Sequence, residues 1–314
     1  MSDFILTTDN LQKSFGDQQA LRGVSFGIRR GEVFSLLGPN GAGKTTTISM
    51  LACLLSPTEG DALVGGHSVR REPEAVKRLI GLVPQDIALY LPLTARENLM
   101  FWGQMYGLGG AALRRRVDEV LEVVGLKERA KDRVATYSGG MQRRINIAVG
   151  LLHKPQIVFM DEPTVGIDPQ SRRNILDMVK DLNKQGMTVL YTTHYMEEAQ
   201  ELSNRIGIID QGKLIALGTL DELTRLVGQE DVVELSVADG EAPELLPALR
   251  AAPGIRNADR TNGTVRLLAA DGNAALPELI TTATRHGAKV TNVSVKEPNL
   301  EAVFLHLTGR ALRD

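Results

Sequence analysis

The sequence has a single cysteine, Cys53, among 314 residues, so no intrachain disulfide can form. It carries almost no net charge: 36 basic and 38 acidic side chains leave −2. That balance gives no electrostatic case for nucleic acid or an acidic lipid surface as the main partner. Arginine clusters such as Arg114-Arg115-Arg116 and Arg143-Arg144 read as solvated helix and turn faces. No apolar run approaches the ~18 residues of a spanning helix. Met1-Ser2-Asp3-Phe4 lacks the basic start and apolar stretch of a signal peptide. The expectation is a chain that is cytoplasmic and soluble by itself, with any membrane role supplied through a partner. Internal repeats and low-complexity tracts are also missing.

What is present is ordinary for a globular protein, with 43% hydrophobic and 24% charged residues. The length suits one large or two modest domains. The most informative stretch is Gly38-Pro39-Asn40-Gly41-Ala42-Gly43-Lys44-Thr45, which fits G-x-x-x-x-G-K-S/T at every fixed position, with Thr46 following. Glycines let successive backbone N–H groups curl around one anion. Lys44 can reach outer phosphates, and the Thr45 hydroxyl can ligate Mg²⁺. Val33 to Leu37 reads as a buried strand before this loop and Thr45 to Leu55 as a helix after it, which puts a helix N-terminus at the phosphates. Cys53 falls on that expected helix and reads as a small core residue.

Around the loop the pattern is α/β. Strands are expected at Phe4 to Thr7, Leu11 to Phe15, Val24 to Ile28, Ala62 to Val64 and Ile80 to Val83. A helical insert is expected at roughly 90–155, with Leu113, Val117, Val120, Leu121 and Val124 on a period of about 3.6. Strands return at Ile157 to Met160 and Val189 to Thr193. Between them lies a helix capped by Asp168, opened by Pro169 and closed by Gly186. Asp210-Gln211-Gly212 signals a hairpin, and Thr219 with Glu222 a capping box for a helix to about Val227. After Gly228 the texture changes. Strands at Val232 to Val237, Ile255 to Ala258, Thr264 to Leu268 and Val290 to Val295 join helices at Pro243 to Arg250 and Leu276 to His286. With a turn at Asn262-Gly263, this is the ferredoxin-like order βαββαβ, followed by a helix at Asn299 to Leu307. The fold class is therefore an α/β nucleotide-binding core over residues 1–228, with a small α+β domain over 229–314.

Ile157-Val158-Phe159-Met160-Asp161-Glu162 is an apolar strand that ends in two carboxylates at the sheet's carboxyl edge. Asp161 can hold Mg²⁺ through water, and Glu162 can polarise an attacking water. Ser138-Gly139-Gly140 opens an apolar helix and is a second backbone cradle for an anion. Two cradles are redundant in one nucleotide site but make sense if the second serves the nucleotide of another copy.

At this point the sequence resembles the nucleotide-binding subunit of ATP-binding cassette (ABC) transporters, over roughly residues 4–225 and with the motifs in the family's order. Ser138-Gly139-Gly140-Met141-Gln142 looks like the family signature, with Tyr137 where Leu is commonest and Met141 where Gln is commonest. The resemblance implies that Phe15 stacks on adenine and that Gln85 senses Mg²⁺ and the membrane partner. It also implies that Asp168 contacts the opposite subunit and that His194 contacts the γ-phosphate. The tail Glu297-Pro298-Asn299 to Gly309 looks like the daunorubicin-resistance type of multidrug exporter ATPase. The family implies ATP and Mg²⁺ as cofactors, a head-to-tail homodimer with two ATP between the copies, and a separate polytopic permease. The chain would then sit at the cytoplasmic face of the membrane.

Three rival classes remain. A non-transport cassette ATPase of DNA repair or translation would carry a coiled-coil insert, a zinc module or two cassettes, none of which is seen. A GTPase would need Asp where Gly186 follows Asn183-Lys184-Gln185. A catalytically dead subunit conflicts with the intact Lys44, Asp161 and Glu162.

Overall fold

Strands buried along their whole length sit at the centre of a parallel sheet, where both faces are covered. The computed structural model describes residues 3–227, 230–237, 244–261, 264–296 and 299–309. Its contacts divide between Met1–Leu220 and Asp221–Ala311. With strands numbered in chain order, the fully buried ones are β4 (Val33–Leu37), β8 (Ile157–Asp161) and β9 (Thr188–Thr193). With β7 (Ile80–Val83), β10 (Arg205–Asp210) and β11 (Lys213–Gly218) they form a sheet in the order β11-β10-β4-β9-β8-β7. Only β11 is antiparallel to its neighbour.

A second, antiparallel sheet contains β1 (Phe4–Phe15), β2 (Gln18–Val24), β5 (Glu59–Val64) and β6 (His67–Ser68), with β3 (Gly27–Arg29) paired on β1. Alternate residues of the central strands face two different cores. Val158, Met160, Val189 and Tyr191 pack with the helical segments. Phe34, Leu36, Phe159 and Leu190 pack with the antiparallel sheet and α1 (Lys44–Leu51). The other helices of this unit are α2 (Pro73–Leu79), α3 (Ala95–Met105), α4 (Gly110–Val123), α5 (Gly139–Leu151), α6 (Pro169–Lys184) and α7 (Met196–Leu202). None of the described helices is long and apolar enough to cross a membrane.

Several local expectations change. The two runs Phe4 to Thr7 and Leu11 to Phe15 belong to one strand, interrupted by a bulge where Asn10 takes a left-handed φ of 48° and the pairing slips between Asp9 and Gln12. Val24 to Ile28 is split between β2 and β3. The helix after the loop stops at Leu51, not Leu55, and Cys53 lies beyond it at φ 57°, half-buried. The turn at Asn262-Gly263, Gly228, Pro243, and Glu297-Pro298 lie outside the described residues.

The second unit begins in α8 (Leu220–Thr224). Its strands β12 (Asp231–Val237), β13 (Ile255–Thr261), β14 (Thr264–Ala269) and β15 (Val290–Lys296) form a wholly antiparallel sheet in the order β13-β14-β12-β15. With α9 (Leu245–Arg250) and α10 (Gly272–Arg285) between them, this is the ferredoxin-like arrangement. Val233, Leu235, Val265 and Leu267 form its core with Leu249 and Leu279. The chain then enters α11 (Leu300–Thr308), capped by Asn299.

Within the first unit, buried polar side chains pin the loop between β7 and α3. Arg143 of α5 donates to the carbonyls of Pro84 (2.8 Å) and Gln85 (2.5 Å), and burial pushes its pKa down. Asn146 of α5 accepts from Ala88 N–H, and Asn98 of α3 both accepts from and donates to the Tyr90 backbone. Asn98 is fully buried and also donates to Thr94 O. Asn98→Ala leaves Tyr90 N–H without its partner, while Tyr90 O and Thr94 O keep their bonds from Leu93 and Asn98 N–H, and it is expected to cost about 1–3 kcal/mol of stability. A thermal or urea midpoint equal to the parent's would show that the loop does not depend on this side chain.

Candidate functional site

The segment from Gly38 to Gly43 links β4 to α1, and its geometry follows from its glycines and neighbours. Gly43 caps α1 at φ 109°, where a Cβ would also press on Leu21 and the Ala20 carbonyl at 2.7 and 3.1 Å. Gly38 N–H donates to Thr193 O at 3.3 Å, tying the loop to the end of β9. Lys44, the first residue of α1, folds back over the loop. Its Nζ donates to Gly38 O (2.6 Å) and Pro39 O (2.9 Å) and pairs with Glu162 Oε1 at 2.9 Å. The two side chains of that pair are only 3% and 5% exposed.

The strand order sets this meeting. β9 lies between β4 and β8, with Thr192 in register with both Leu36 and Asp161. The Thr192 hydroxyl donates to Asp161 Oδ1 at 2.7 Å and accepts from Glu162 N–H at 3.0 Å. Burial raises the Asp161 carboxyl above its ordinary pKa, opposed by its bonds to Thr192 and Thr45. Glu162 holds a left-handed φ of 44°, a conformation that costs a non-glycine residue energy and is typical of functional positions. Its Oε2 lies 3.3 Å from His194 Nδ1, a contact without hydrogen-bond geometry.

Phe15, Asn40, Gly41, Gly43, Lys44, Thr45, Thr46, Gln85 and Glu162 line one cavity of about 770 Å³. Gly38, Pro39 and Ala42 contribute the backbone behind it, while Asp161 and His194 stand behind Glu162. Phe15 is half exposed on the cavity wall, with Lys13 Nζ 5.2 Å from its ring centroid. Asp17, Gln18, Gln19, Ala20, Arg22 and Gln211 also line the cavity, although sequence reasoning did not single them out. They arrive through topology. Gly212, at φ 74° in the hairpin between β10 and β11, accepts from Arg22 N–H (2.8 Å) and donates to Ala42 O (3.0 Å). A Cβ there would meet Ala20 O at 2.5 Å. Thr192 was missed as well, yet two adjacent threonines in an otherwise buried apolar run were a legible sign of hydroxyls with work to do.

Ser138, Gly139, Gly140 and Asp168 do not line this cavity. Ser138 caps α5, accepting from Met141 N–H at 3.3 Å, and it and Gly139 are exposed. Gly140 leaves no room for a side chain beside Ser171. Asp168 caps α6 by accepting from Ser171 N–H at 2.9 Å, which lowers its carboxyl pKa. The second cradle and the Asp168 turn are thus neighbours, apart from the first cradle.

The donors at the first cradle suit a hard cation. Thr45, Gln85 and Asp161 offer a hydroxyl, an amide oxygen and a carboxylate. Among the described residues no cluster of three or more His, Cys, Asp or Glu could hold a metal ion. One carboxylate supplemented by ligand phosphates is the usual protein contribution to Mg²⁺.

Residues 21–165 match the family described as ABC transporter, and residues 218–308 match the C-terminal domain of ATP-binding proteins described as DrrA1-3-like. The chain is 49% identical to the Linearmycin resistance ATP-binding protein LnrL of Bacillus subtilis, over 99% of this chain and 100% of that protein. It is 42% identical to the Daunorubicin resistance ATP-binding protein DrrA3 of Streptomyces coeruleorubidus, covering 98% and 97% of the two chains. Among solved structures it resembles an ATP-binding subunit of an ABC transporter, with TM-score 0.64 and 31% identity over 71% of this chain and 93% of that one. It also resembles an ATP-binding cassette described as dimeric, post-hydrolysis and bound to ADP and Pi, with TM-score 0.62 and 30% identity over 68% and 98%.

The Thr192 hydroxyl carries a prediction. Thr192→Val removes the donor to the buried Asp161 carboxylate and leaves Glu162 N–H only its 3.2 Å bond to Thr192 O, and it is expected to cost about 1–3 kcal/mol in a denaturation experiment. Thr192→Ser, which keeps the hydroxyl, should recover most of that loss. Equal midpoints for the Val variant and the parent would remove Thr192 from this role.

Proposed function

This chain belongs to the ATP-binding subunits of ABC transporters, and from that membership we propose how its site drives transport. It binds and hydrolyses ATP, and relatives named for drug resistance and for Nod factor export support export as the direction of transport. In our reading the ATPase domain is residues 1–228, and 229–314 is an accessory domain that supports the dimer. Phe15 stacks on adenine. Gly38 to Thr46 cradle the phosphates, with Lys44 on the outer ones. Thr45, Gln85 and Asp161 would hold Mg²⁺, which supplies charge neutralisation on the phosphates. Glu162 orients the attacking water, and His194 reads the γ-phosphate.

The carrying observation is that a built cavity contains one cradle with Lys44 and Glu162, while Ser138 to Gly140 and Asp168 lie outside it. A second cradle that opens to solvent at Ser138 and Gly139 and does not line this cavity favours a head-to-tail pair of copies, each supplying Ser138 to Gly140 to the other's ATP. The solved relative described as dimeric with ADP and Pi supports an assembly of two copies. Closure on ATP and reopening after hydrolysis would then move a separate polytopic permease, with this chain peripheral on the cytoplasmic face.

The test is Glu162→Gln. Turnover is expected to fall ~10²–10⁴-fold while ATP binding stays intact, because the variant keeps shape but loses the base. The same variant should form an ATP-dependent dimer on gel filtration. Near-parental hydrolysis would remove Glu162 from its role, and a monomer at saturating ATP would count against the two-copy site.

A further inference from the structure

A buried carboxylate that the proposed chemistry does not use sits directly behind His194. Glu198, on α7, is 2% exposed. Its Oε2 accepts from the hydroxyls of Tyr191 (3.0 Å) and Thr193 (2.8 Å). Burial and the charge of Glu198 push the Tyr191 hydroxyl well above its ordinary pKa, so it remains a donor. Thr193 Oγ1 also accepts from Tyr195 N–H at 2.9 Å. One hydroxyl therefore bridges the residues on either side of His194 and is anchored to Glu198.

The side chains repeat this bracketing. The Tyr195 ring lies against the His194 imidazole, with centroids 4.1 Å apart. Arg172 Cζ lies 4.2 Å from the centroid of the same Tyr195 ring. Arg172 is in the first turns of α6, where its N–H donates to Asp168 O at 2.9 Å. Its Nε and Glu198 Oε1 lie 3.6 Å apart, and neither has a hydrogen-bond partner in range. The charge of Glu198 is thus faced by one cation and two hydroxyls, all from elements that meet at His194.

We propose that Glu198 is the positioning residue of His194, acting through the Thr193 hydroxyl, and that Arg172 with Tyr195 ties the imidazole to the Asp168 end of α6. A displacement of the Asp168 turn by a second copy would then reach His194 through one ring and one guanidinium. This rests on the role given above to His194.

A double-mutant cycle on the full chain tests it, reading ATP turnover, KM and thermal midpoint. His194→Ala should lower kcat at least ~10²-fold. Glu198→Ala should lower it by up to ~10²-fold with KM for ATP unchanged, since a misplaced group costs rate more than ground-state binding. The double variant should fall no further than His194→Ala alone. Thr193→Val cuts the same link while leaving Glu198 in place with its bond from Tyr191 and with Arg172 beside it, and it should behave like Glu198→Ala even if that variant folds poorly. Thr193→Ser and Glu198→Gln, which keep the bonds, should recover most of the turnover. Additive losses in the double variant, or parental turnover in Thr193→Val, overturn the positioning role and leave that of His194 standing. Parental turnover in His194→Ala overturns both.

Discussion

The ion pair between Lys44 and Glu162 is the constraint on which the site depends. Both groups are almost wholly withdrawn from water, and a lone buried charge at either position would be prohibitively costly. The pair is tolerable because the Gly38 and Pro39 carbonyls share the ammonium and because Glu162 N–H finds the Thr192 hydroxyl. Gly38 and Pro39 follow β4, Glu162 follows β8 and Thr192 lies in β9, so the pair depends on this strand order. An anion entering the cavity meets a lysine already engaged by Glu162.

Helix α5 joins features that the linear motifs keep separate. Its N-cap is Ser138, and its interior side chains Arg143 and Asn146 hold the backbone from Pro84 to Ala88. Gln85 on the cavity wall and the exposed second cradle thus ride on a single helix. A shift of α5 cannot change one without the other. The loop that carries Gln85 has no regular structure of its own and is held by buried amide and guanidinium groups and, near its end, by backbone bonds from Val134 and Ala135.

Much of this was legible in the sequence because the decisive segments are local. Val33 to Leu37 is a run of buried residues closed by a glycine, and strand and motif coincide there. Asp168, Pro169 and Gly186 punctuate α6, and the ferredoxin-like order emerges from alternating short runs. What was not legible is set by tertiary context. The left-handed turn at Asn10 hides the continuity of β1, because it re-phases the alternation that marks a strand. The end of α1 before Cys53 follows no glycine or proline. Gln18 to Arg22 reach the cavity only because β2 is pinned by a hairpin almost two hundred residues away in sequence.

That hairpin has a broader effect. Through Gly212 the main chain of β2 is bonded to the β10–β11 turn, and the same glycine is bonded to Ala42 inside the phosphate cradle. The wall that bears Gln18 to Arg22 and the cradle are therefore spaced by peptide groups, while the chemistry of the cavity is written in side chains. The two properties are separable. Substitutions in the lining can change which groups a ligand meets without touching the main-chain bonds that set the span between wall and cradle.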